Sequence, residues 1–566
     1  MGSISCSAAP SRPFSMARDD RSTPHTAHFP VVWPADADPS LHWTLDDEEP
    51  APFLSPSDGW ARHGVIHAHA YWHGPVADIR RLRLNSYAYS ARVIRSDTPA
   101  ESAARAVRAT EDLETLVDSI EARWEDNWAP RIRSALHDFE DFDPGFASDG
   151  ELAEEIGQAH LPGHELWEVH FELVFGCGYI RRQFDTYCAE VFGADTDLGT
   201  ATLTAGDHNM SVASGERLLT LVEFVHDRTA LETLVLKETW RDMAVRLDQV
   251  SGGPEFRTRL AAFIADFGRK LTDGLAGPTW EESPDLVLAN LRALLRLGGD
   301  FGRGRREGVI ADKEHRLARA RKILAALPRA LGEEFERLYQ SASVATRLME
   351  DHNHYIDQQS AYFHRRLLVE AARRLVRQKR LGSVTDVSFL TESELAQALV
   401  DPDVAPSMLA AARAHDASMW RQRKPPKELG GPEPSLPPHP LFGPPKAPFS
   451  PPKLEEAPGT LIGLGASRGV VVARVRIVRE LAGASALVPG EILVTTVTSP
   501  SWATWYPILG GLVTETGGVL THAAVVAREY GIPAVVAVPS ATTALHDGDL
   551  VELDGQAGTV RRVQDP

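Results

Sequence analysis

Residues 511–538 read GLVTETGGVLTHAAVVAREYGIPAVVAV and combine a short apolar strand, a turn with two glycines and the beginning of a helix. Gly517 and Gly518 allow the chain to turn sharply, and Thr521 stands at the position of an N-cap. His522 then lies in the first helical turn, where free backbone N–H groups and the positive end of the helix dipole stabilise an anion. The stretch therefore predicts a strand, turn and helix built around one histidine.

An imidazole at an anion site has the arrangement that phosphoryl transfer requires. One ring nitrogen forms the covalent bond to phosphorus while the surrounding donors hold the charge of the transferred group. The candidate phosphate-binding residues are Thr516, Gly517, Gly518 and Thr521. Arg528 is a candidate for a bidentate phosphate contact and a catalytic role. A histidine that only caps a helix after a tight turn is the alternative interpretation of this pattern.

The segment resembles the signature of the mobile phosphohistidine domain of the phosphoenolpyruvate-utilising enzymes, which include pyruvate phosphate dikinase, phosphoenolpyruvate synthase and rifampin phosphotransferase. In that family the histidine of the pattern TGGxxxHxAxxAR is phosphorylated, so the resemblance assigns this role to His522. The likeness continues through residues 463–478, 489–507 and 547–560. Arg468 stands where the family usually has a proline, a departure that bears on a local turn and leaves the chemistry unchanged.

Three stretches upstream resemble the acceptor-binding region of rifampin phosphotransferase-like proteins and of the large subunit of phenylphosphate synthase-like enzymes. They are residues 28–33, 41–56 and 349–359. The resemblance implies that the middle of the chain holds the molecule that accepts the phosphoryl group.

Ionisable side chains are concentrated on the helix predicted around residue 350. They are Arg347, Glu350, Asp351, His352, His354 and Asp357. Asp351 or His352 is the candidate general base that removes the proton of an acceptor hydroxyl, and the other four are candidates for binding the acceptor. On a regular helix His352 and His354 point in nearly opposite directions, so both reach one site only if the helix is distorted. An ordinary polar helix face is the alternative interpretation.

The pattern along the chain divides it into five segments and predicts a multidomain α+β protein. Residues 1–27 are rich in serine, proline and arginine and are expected to be a disordered lead. Residues 28–98 are expected to form a small β-containing region, and residues 99–423 a mainly helical acceptor-binding domain. Residues 424–458 are rich in proline, which predicts an extended, semi-rigid linker, and residues 459–566 are expected to form a compact α/β swivelling phosphohistidine domain.

Apolar alternation and apolar periodicity predict the individual elements. Strands are expected at residues 64–72, 82–90, 470–478, 491–497, 511–514, 534–538 and 550–553. Helices are expected within residues 104–136, 151–192, 216–248, 316–376 and 523–530. A polar turn is expected at residues 206–209, where a substrate contact is the alternative to an ordinary loop.

Composition excludes several classes of partner. The chain of 566 residues has a formal net charge of -19, so it repels polyanions and nucleic acid is not an expected partner. No apolar run approaches the roughly 18 residues that a membrane helix requires, so no contact with a membrane is expected. The three cysteines, Cys6, Cys177 and Cys188, include no CxxC pair and indicate neither a disulfide framework nor a structural zinc site, which favours a reducing cytoplasm.

His67, His69 and His73 are separated by even numbers of residues, so on the predicted strand they share one face. That arrangement suggests a metal site, but the sequence provides no obvious carboxylate or thiol to complete it. We therefore expect no metal to be bound by this chain.

Members of the family that run the complete reaction also contain an ATP-grasp domain or a barrel that binds phosphoenolpyruvate. The five predicted segments leave no space for either domain. We therefore expect a separate ATP-grasp subunit to use ATP and Mg²⁺ and to phosphorylate His522, with no cofactor bound by this chain alone. A donor that uses phosphoenolpyruvate in place of ATP stays open.

Three functions are compatible with these features. The leading hypothesis is a phosphotransferase that passes the phosphoryl group from His522 to a hydroxyl of a small organic acceptor. The second is a phosphotransferase-like dehydratase of natural-product biosynthesis, in which the phosphorylated hydroxyl is eliminated to form a C=C bond. The third is a non-catalytic carrier or binding protein.

Overall fold

The computed structural model describes residues 29–563 except for residues 48, 54–57, 194–195, 272–274, 276, 297–300, 443–458 and 520. Within these residues the chain forms a large group of helices, a four-stranded sheet and an eight-stranded sheet. The predicted mixed α+β class is confirmed. The predicted disordered lead lies outside the described residues.

The four-stranded sheet is antiparallel and has the order β2-β3-β1-β4. Its strands are β1 (His42–Leu45), β2 (Val76–Leu84), β3 (Tyr87–Ile94) and β4 (Glu428–Gly430). Asn85 and Ser86 turn the chain between β2 and β3 with φ angles of 50° and 68°, which is the left-handed conformation that a two-residue hairpin turn needs. The strand predicted at 82–90 is therefore a hairpin, with this turn inside the predicted range.

The strand predicted at residues 64–72 is wrong, because these residues belong to helix α1 (Asp58–Tyr71). The side chains that pack into the core, Trp60, Ala68 and Trp72, repeat at helical spacing. The histidines consequently have separate neighbours: His67 Nε2 lies 2.9 Å from Glu172 Oε1, and His73 Nε2 lies 3.0 Å from Asp112 Oδ2. The shared strand face on which a metal site was considered does not exist.

The proline-rich stretch is packed over its first part, so the predicted linker boundary at residue 424 is also wrong. β4 pairs with β1, as His42 lies opposite Gly430. Further along, Arg182 Nη2 donates to the carbonyl oxygens of Pro440 (2.9 Å) and Leu441 (2.8 Å), which cover the helices. The prolines that predicted a semi-rigid linker here are compatible with an extended chain that packs against the protein. Residues 443–458 lie outside the described residues.

The helical body contains fifteen of the described helices. They are α2 (Pro99–Arg123), α3 (Ala129–Glu140), α4 (Asp149–Gln158), α5 (His160–Phe192), α6 (Thr200–Leu203), α7 (Met210–His226), α8 (Thr229–Lys237), α9 (Trp240–Ala244), α10 (Gly253–Phe267), α11 (Pro284–Arg296), α12 (Phe301–Leu324), α13 (Arg329–His352), α14 (Gln359–Arg377), α15 (Glu392–Val400) and α16 (Pro406–Trp420). Two π-helical segments, Trp124–Trp128 and Asn353–Gln358, join α2 to α3 and α13 to α14. Short 3₁₀ helices cover Thr196–Leu198, Leu247–Gln249 and Val384–Phe389.

Local sequence explains where several of these helices begin. Thr98 with Glu101, and Ser148 with Glu151, form capping boxes at the starts of α2 and α4. Helix α5 packs against α1, α3 and α13 and buries one apolar stripe in the main core. The helices predicted within 104–136, 151–192 and 316–376 are confirmed, whereas 216–248 is broken into α7, α8 and α9.

The C-terminal domain holds the eight-stranded sheet, with the order β5-β12-β11-β7-β8-β9-β10-β6. Its elements are β5 (Thr460–Ile462), β6 (Leu464–Ser467), β7 (Val470–Ile477), β8 (Ile492–Thr495), β9 (Gly511–Thr514), α17 (His522–Glu529), β10 (Ala534–Val536), α18 (Ala541–Ala544), β11 (Leu550–Asp554) and β12 (Thr559–Arg562), with 3₁₀ helices at Leu481–Ala486 and Pro500–Ile508. Strands β7 to β10 are parallel, and β8, β9 and β10 are buried along their whole length. All five strands and the helix predicted here are confirmed, while β5, β6 and β12 were not predicted.

The C-terminal domain is seated on the helical body, and we call this arrangement the docked state. One apolar cluster contains side chains from both parts, including Leu218, Val222, Trp280, Trp502, Trp505 and Tyr506. Hydrogen bonds cross the same interface: Gly206 N donates to Glu529 Oε2 (2.8 Å), Ser501 Oγ donates to Leu271 O (2.5 Å) and Arg305 Nη1 donates to Leu509 O (2.6 Å). None of the described helices has the length and apolar character needed to cross a bilayer.

Candidate active site

The glycine turn places His522 at the first position of α17, as the sequence predicts. Gly517 has a φ of +109°, a backbone conformation that residues other than glycine rarely adopt. Thr521 occupies the N-cap position, but its hydroxyl donates to the carbonyl of Gly518 at 2.7 Å and does not cap the helix. The first N–H groups of α17 have no intrahelical acceptor, so they remain the donors suited to a phosphate.

The His522 ring faces a buried carboxylate of the helical body. Its Nδ1 lies 2.9 Å from Oε2 of Glu350 at the end of α13, and Ser211 Oγ donates to the same oxygen at 3.0 Å. Because an ionised carboxylate only accepts, this contact keeps the proton of His522 on Nδ1 and leaves the lone pair on Nε2. Nε2 is buried and has no hydrogen-bond partner in the described part of the chain. Nε2 is therefore the nitrogen available to bond phosphorus.

Two arginines surround this contact. Arg181 of α5, which the sequence analysis did not select, is buried, and burial lowers the pKa of its guanidinium while the carboxylates of Asp185 and Glu350 oppose that shift. Arg528 donates to the carbonyls of Ala466 and Val519, both at 2.9 Å, and so fastens the glycine turn to β6 in the docked state. Burial, reinforced by Arg181, lowers the pKa of Arg528 to about 10. A charged residue within the apolar stripe of a long helix is the signal by which Arg181 could have been found.

Asp351 and His352, the two candidate bases, have different surroundings. The Asp351 carboxylate accepts a hydrogen bond from the backbone N–H of Met210 at 2.8 Å, and burial raises its pKa to about 6. His352 is buried, its Nδ1 lies 3.0 Å from the carbonyl of Leu348, and burial lowers its pKa. A carboxylate with a raised pKa is the stronger base at neutral pH, which favours Asp351 for proton removal.

The remaining candidates in the π-helical segment, His354 and Asp357, have different neighbours. The His354 ring lies 5.6 Å from that of Phe267, and burial, with Lys270 next in effect, lowers the pKa of His354 to about 4. Asp357 faces the opposite direction and its Oδ1 lies 2.7 Å from Nδ1 of His170, a residue of α5 that the sequence analysis did not select. The prediction that His352 and His354 point to different sides is confirmed.

Arg347 and the turn at residues 206–209 lie at the margins of the site. Arg347 pairs with Glu121 at 3.2 Å on the outer side of α13. The predicted turn is confirmed between α6 and α7, where Asn209 accepts from Val212 N at 3.0 Å and caps α7. Its Gly206 donates to Glu529 of α17, so this turn is part of the docking interface.

Comparison with known proteins identifies two regions of the chain. Residues 487–558 match the mobile domain of the PEP-utilising enzymes, and residues 171–350 match the fourth domain of rifampicin phosphotransferase. The first region contains His522 and the second ends at Glu350, so the contact between these two residues joins the two matched regions. The chain therefore combines a region similar to the mobile domain of the PEP-utilising enzymes with a region similar to a rifampicin phosphotransferase domain.

Individual relatives agree with this assignment. Chondramide synthase of Chondromyces crocatus is 29% identical over 95% of this chain, which corresponds to 14% of that protein. An uncharacterized phosphotransferase of Bacillus subtilis is 27% identical over 70% of this chain and 47% of its own length. A rifampicin phosphotransferase of Streptomyces sviceus is 30% identical over 66% of this chain and 42% of its own length. The chain thus spans less than half the length of each of these relatives.

Proposed function

We propose that the protein is a phosphohistidine-dependent phosphotransferase component, which carries a phosphoryl group on His522 and passes it to a hydroxyl of a small organic acceptor on the helical body. The observation that carries this proposal is the contact between His522 and Glu350. It joins a nucleophile at a helix N-terminus to the body that matches a rifampicin phosphotransferase domain, with Nε2 of the ring left free.

The first half of the proposed reaction charges His522. The lone pair of Nε2 attacks a phosphorus of ATP, a P–N bond forms, and the P–O bond to the leaving nucleotide breaks. Mg²⁺ held with the nucleotide offsets the charge of the phosphate oxygens. We propose that a separate ATP-grasp partner binds both, because Nε2 is buried in the docked state and a donor protein reaches it only after the domain has swung away.

The second half takes place after the domain returns. The acceptor oxygen attacks phosphorus, the P–N bond breaks, and the electron pair of that bond returns to Nε2. Asp351 takes the hydroxyl proton, and the Nδ1 proton of His522 stays on the Glu350 contact throughout. The backbone donors at the start of α17 hold the phosphate charge during the transfer.

A dehydratase is the second candidate. The match to chondramide synthase extends over 95% of this chain, and this similarity is what favours a role in natural-product synthesis. In this version the phosphate ester is an intermediate: a base removes a proton from the carbon next to the C–O bond, a C=C bond forms, and inorganic phosphate leaves. A stable phosphate ester as the end product would exclude this version.

The experiment that tests the proposal is incubation of the chain with ³²P-labelled ATP, alone and together with a candidate ATP-grasp partner. Phosphohistidine is recognised because its label is lost in acid and retained in base. We expect such a label only in the presence of the partner. Absence of label with every donor, including phosphoenolpyruvate, would contradict the proposal and support the binding-protein alternative.

The raised pKa of Asp351 predicts a pH dependence that is confined to the second half-reaction. As a base Asp351 must be ionised, so the rate of acceptor phosphorylation should rise with pH through about 6 and then level off. Asp351→Asn should remove this rise and reduce the rate by about 10²-fold, the usual contribution of a general base. Single-turnover transfer from phosphorylated His522, measured from pH 5 to 8, tests this, with the exposed Asp141→Asn as control. An unchanged profile in Asp351→Asn would assign the base elsewhere.

The docking interface predicts a second, separate effect at Gly215 of α7. A Cβ atom placed there would lie 2.0 Å from the hydroxyl oxygen of Tyr530, which follows α17. Gly215→Ala should therefore disfavour the docked state by about 1–3 kcal/mol, which corresponds to about 5- to 150-fold in the equilibrium constant for docking. Acceptor phosphorylation should fall accordingly while labelling of His522 by the donor stays unchanged.

Two further variants control this experiment. Tyr530→Phe removes the hydroxyl that the new methyl group meets and should restore part of the loss in Gly215→Ala. Gly308→Ala in α12, where a Cβ atom would meet nothing within 4 Å, should leave transfer unchanged. Equal loss in Gly308→Ala and Gly215→Ala would show that docking at Tyr530 is not the cause.

A further inference from the structure

A second group of ionisable side chains lies near the His522–Glu350 contact. It consists of His170 from α5, His352 at the end of α13 and Asp357 in the π-helical segment. The two histidines are buried and the aspartate is partly buried. Burial raises the pKa of the Asp357 carboxyl, but the imidazoles of His170 and His352 lower it by more. The imidazole of His522 adds a smaller lowering effect. The group therefore lies near His522.

The π-helical segment is what brings His352 and Asp357 together. On a regular α-helix two residues five apart are separated by about 140° around the axis and face different neighbours. A π-helix hydrogen-bonds residue i to residue i+5, so residues five apart lie on one side. The segment Asn353–Gln358 has this form, and it turns both side chains towards His170.

The donor atoms of the three residues converge. One ligand atom from each lies within 4.8 Å of the others, and the His170 and His352 rings are 4.7 Å apart at an angle of 77°. His352 directs its Nδ1 to the carbonyl of Leu348 at 3.0 Å, so this nitrogen carries the proton and Nε2 has the lone pair. Metal-ligating histidines characteristically donate their other ring N–H to a backbone carbonyl or a carboxylate in this way.

The charge of this region also fits a cation. Glu350 is buried and Asp357 is partly buried, and carboxylates taken out of water need an opposite charge. The buried guanidinium of Arg181 acts on Glu350, whereas the groups that act on Asp357 are the imidazoles of His170, His352 and His522. A divalent ion between the imidazoles and Asp357 would supply the missing charge.

We propose that His170, His352 and Asp357 bind one divalent transition-metal ion such as Zn²⁺. Two imidazoles and one carboxylate suit Zn²⁺ and its neighbours in the first transition series, whereas Mg²⁺ and Ca²⁺ prefer oxygen ligands alone. Three protein ligands leave a coordination position open, as in catalytic zinc sites. This departs from the expectation, drawn from the sequence, that the chain binds no metal.

The role of the ion rests on the proposed function, although its binding does not. An acceptor hydroxyl at the open position would lose its proton more readily, because a bound cation stabilises the alkoxide. The site borders His522, so this hydroxyl would be presented to the phosphorylated nitrogen. The ion would thereby select acceptors with a hydroxyl that can coordinate a metal.

The test measures binding of Zn²⁺ to the full chain after dialysis against a chelator. We expect one equivalent to bind, and we expect Asp357→Asn and His352→Gln to weaken this binding by at least about 100-fold, since each removes a ligand. The matched control is His73→Gln, which breaks the exposed His73–Asp112 pair and should leave binding unchanged. Circular dichroism of each variant identifies those that fail to fold.

Cobalt provides a readout that needs no variant. Co²⁺ bound to the wild-type chain should give the intense visible absorption of a four- or five-coordinate site, and Zn²⁺ should displace it. Failure of the wild type to bind Zn²⁺, or equal binding by wild type and Asp357→Asn, would overturn the proposal. Loss of acceptor transfer in a folded Asp357→Asn chain, with no metal bound by the wild type, would instead identify His170 and Asp357 as a hydrogen-bonded base pair.

The outcome is independent of the phosphotransferase proposal. Labelling of His522 by ATP and the partner tests that proposal without the metal, because the donor half-reaction occurs away from this group. A chain that is labelled but binds no Zn²⁺ overturns only the metal site. A chain that binds Zn²⁺ at these ligands but accepts no label overturns only the proposed function.

Discussion

Replacement of His522 by alanine is expected to abolish the acid-labile label and to reduce acceptor phosphorylation by at least about 10³-fold, because the variant lacks the nucleophile that carries the phosphoryl group. In the docked state Nδ1 of His522 contacts Glu350 of the helical body, and Nε2 keeps its lone pair free. The measurement is the base-stable, acid-labile ³²P bound per chain, followed by product formation with the acceptor.

A histidine of the same domain provides the control for this result. The His546 side chain is 76% exposed and lies between α18 and β11. His546→Ala should keep full labelling and full transfer. Label that survives in His522→Ala but disappears in His546→Ala would move the phosphorylated residue and contradict the proposed chemistry.

Replacement of Glu350 by alanine is expected to separate the two half-reactions. Glu350 contacts His522 only when the domain is docked, so labelling of His522 by the donor should keep its wild-type rate. Transfer to the acceptor should fall by about 10²-fold, because the carboxylate no longer orients the ring and keeps the proton on Nδ1. Glu350→Gln should fall less, since the amide oxygen can still accept from Nδ1.

Single-turnover transfer from chain that has been phosphorylated and freed of ATP measures the second step alone. The control is Glu333→Gln on the same helix, whose side chain is 62% exposed and pairs with Arg329. It should leave both steps unchanged. A parallel loss of labelling and transfer in Glu350→Ala would mean that the contact serves stability and has no special part in the acceptor step.

Prediction from the sequence was most accurate where neighbouring residues decide the conformation. Strand β9, the glycine turn and the start of α17 depend on apolar residues, on glycines that permit a positive φ and on the N-terminal position of His522, all within one short stretch. The alternation of β-branched residues likewise predicted β7, β8, β10 and β11.

Prediction failed where distant residues choose between local alternatives. The small and polar residues around His67 alternate like a strand, yet Trp60, Ala68 and Trp72 find an apolar partner surface on α5 only as a helix. The prolines after residue 424 predicted a semi-rigid linker, but β4 in this stretch pairs with the edge of β1. In both regions the partner lies far away in sequence, so local pattern carried no information about it.

The sequence by itself determined which histidine stands at the start of a helix, because the strand, glycine turn and helix are a local property of the residues from Thr514 to Arg528. Only the tertiary structure decided which nitrogen is free and what it faces. Glu350 is 172 residues away from His522, and the π-helical segment that joins Asp357 to His170 and His352 is stabilised by packing, not by propensity. Contacts of this kind form when whole domains come together, since the free energy that holds them is the burial of the surfaces on which they lie.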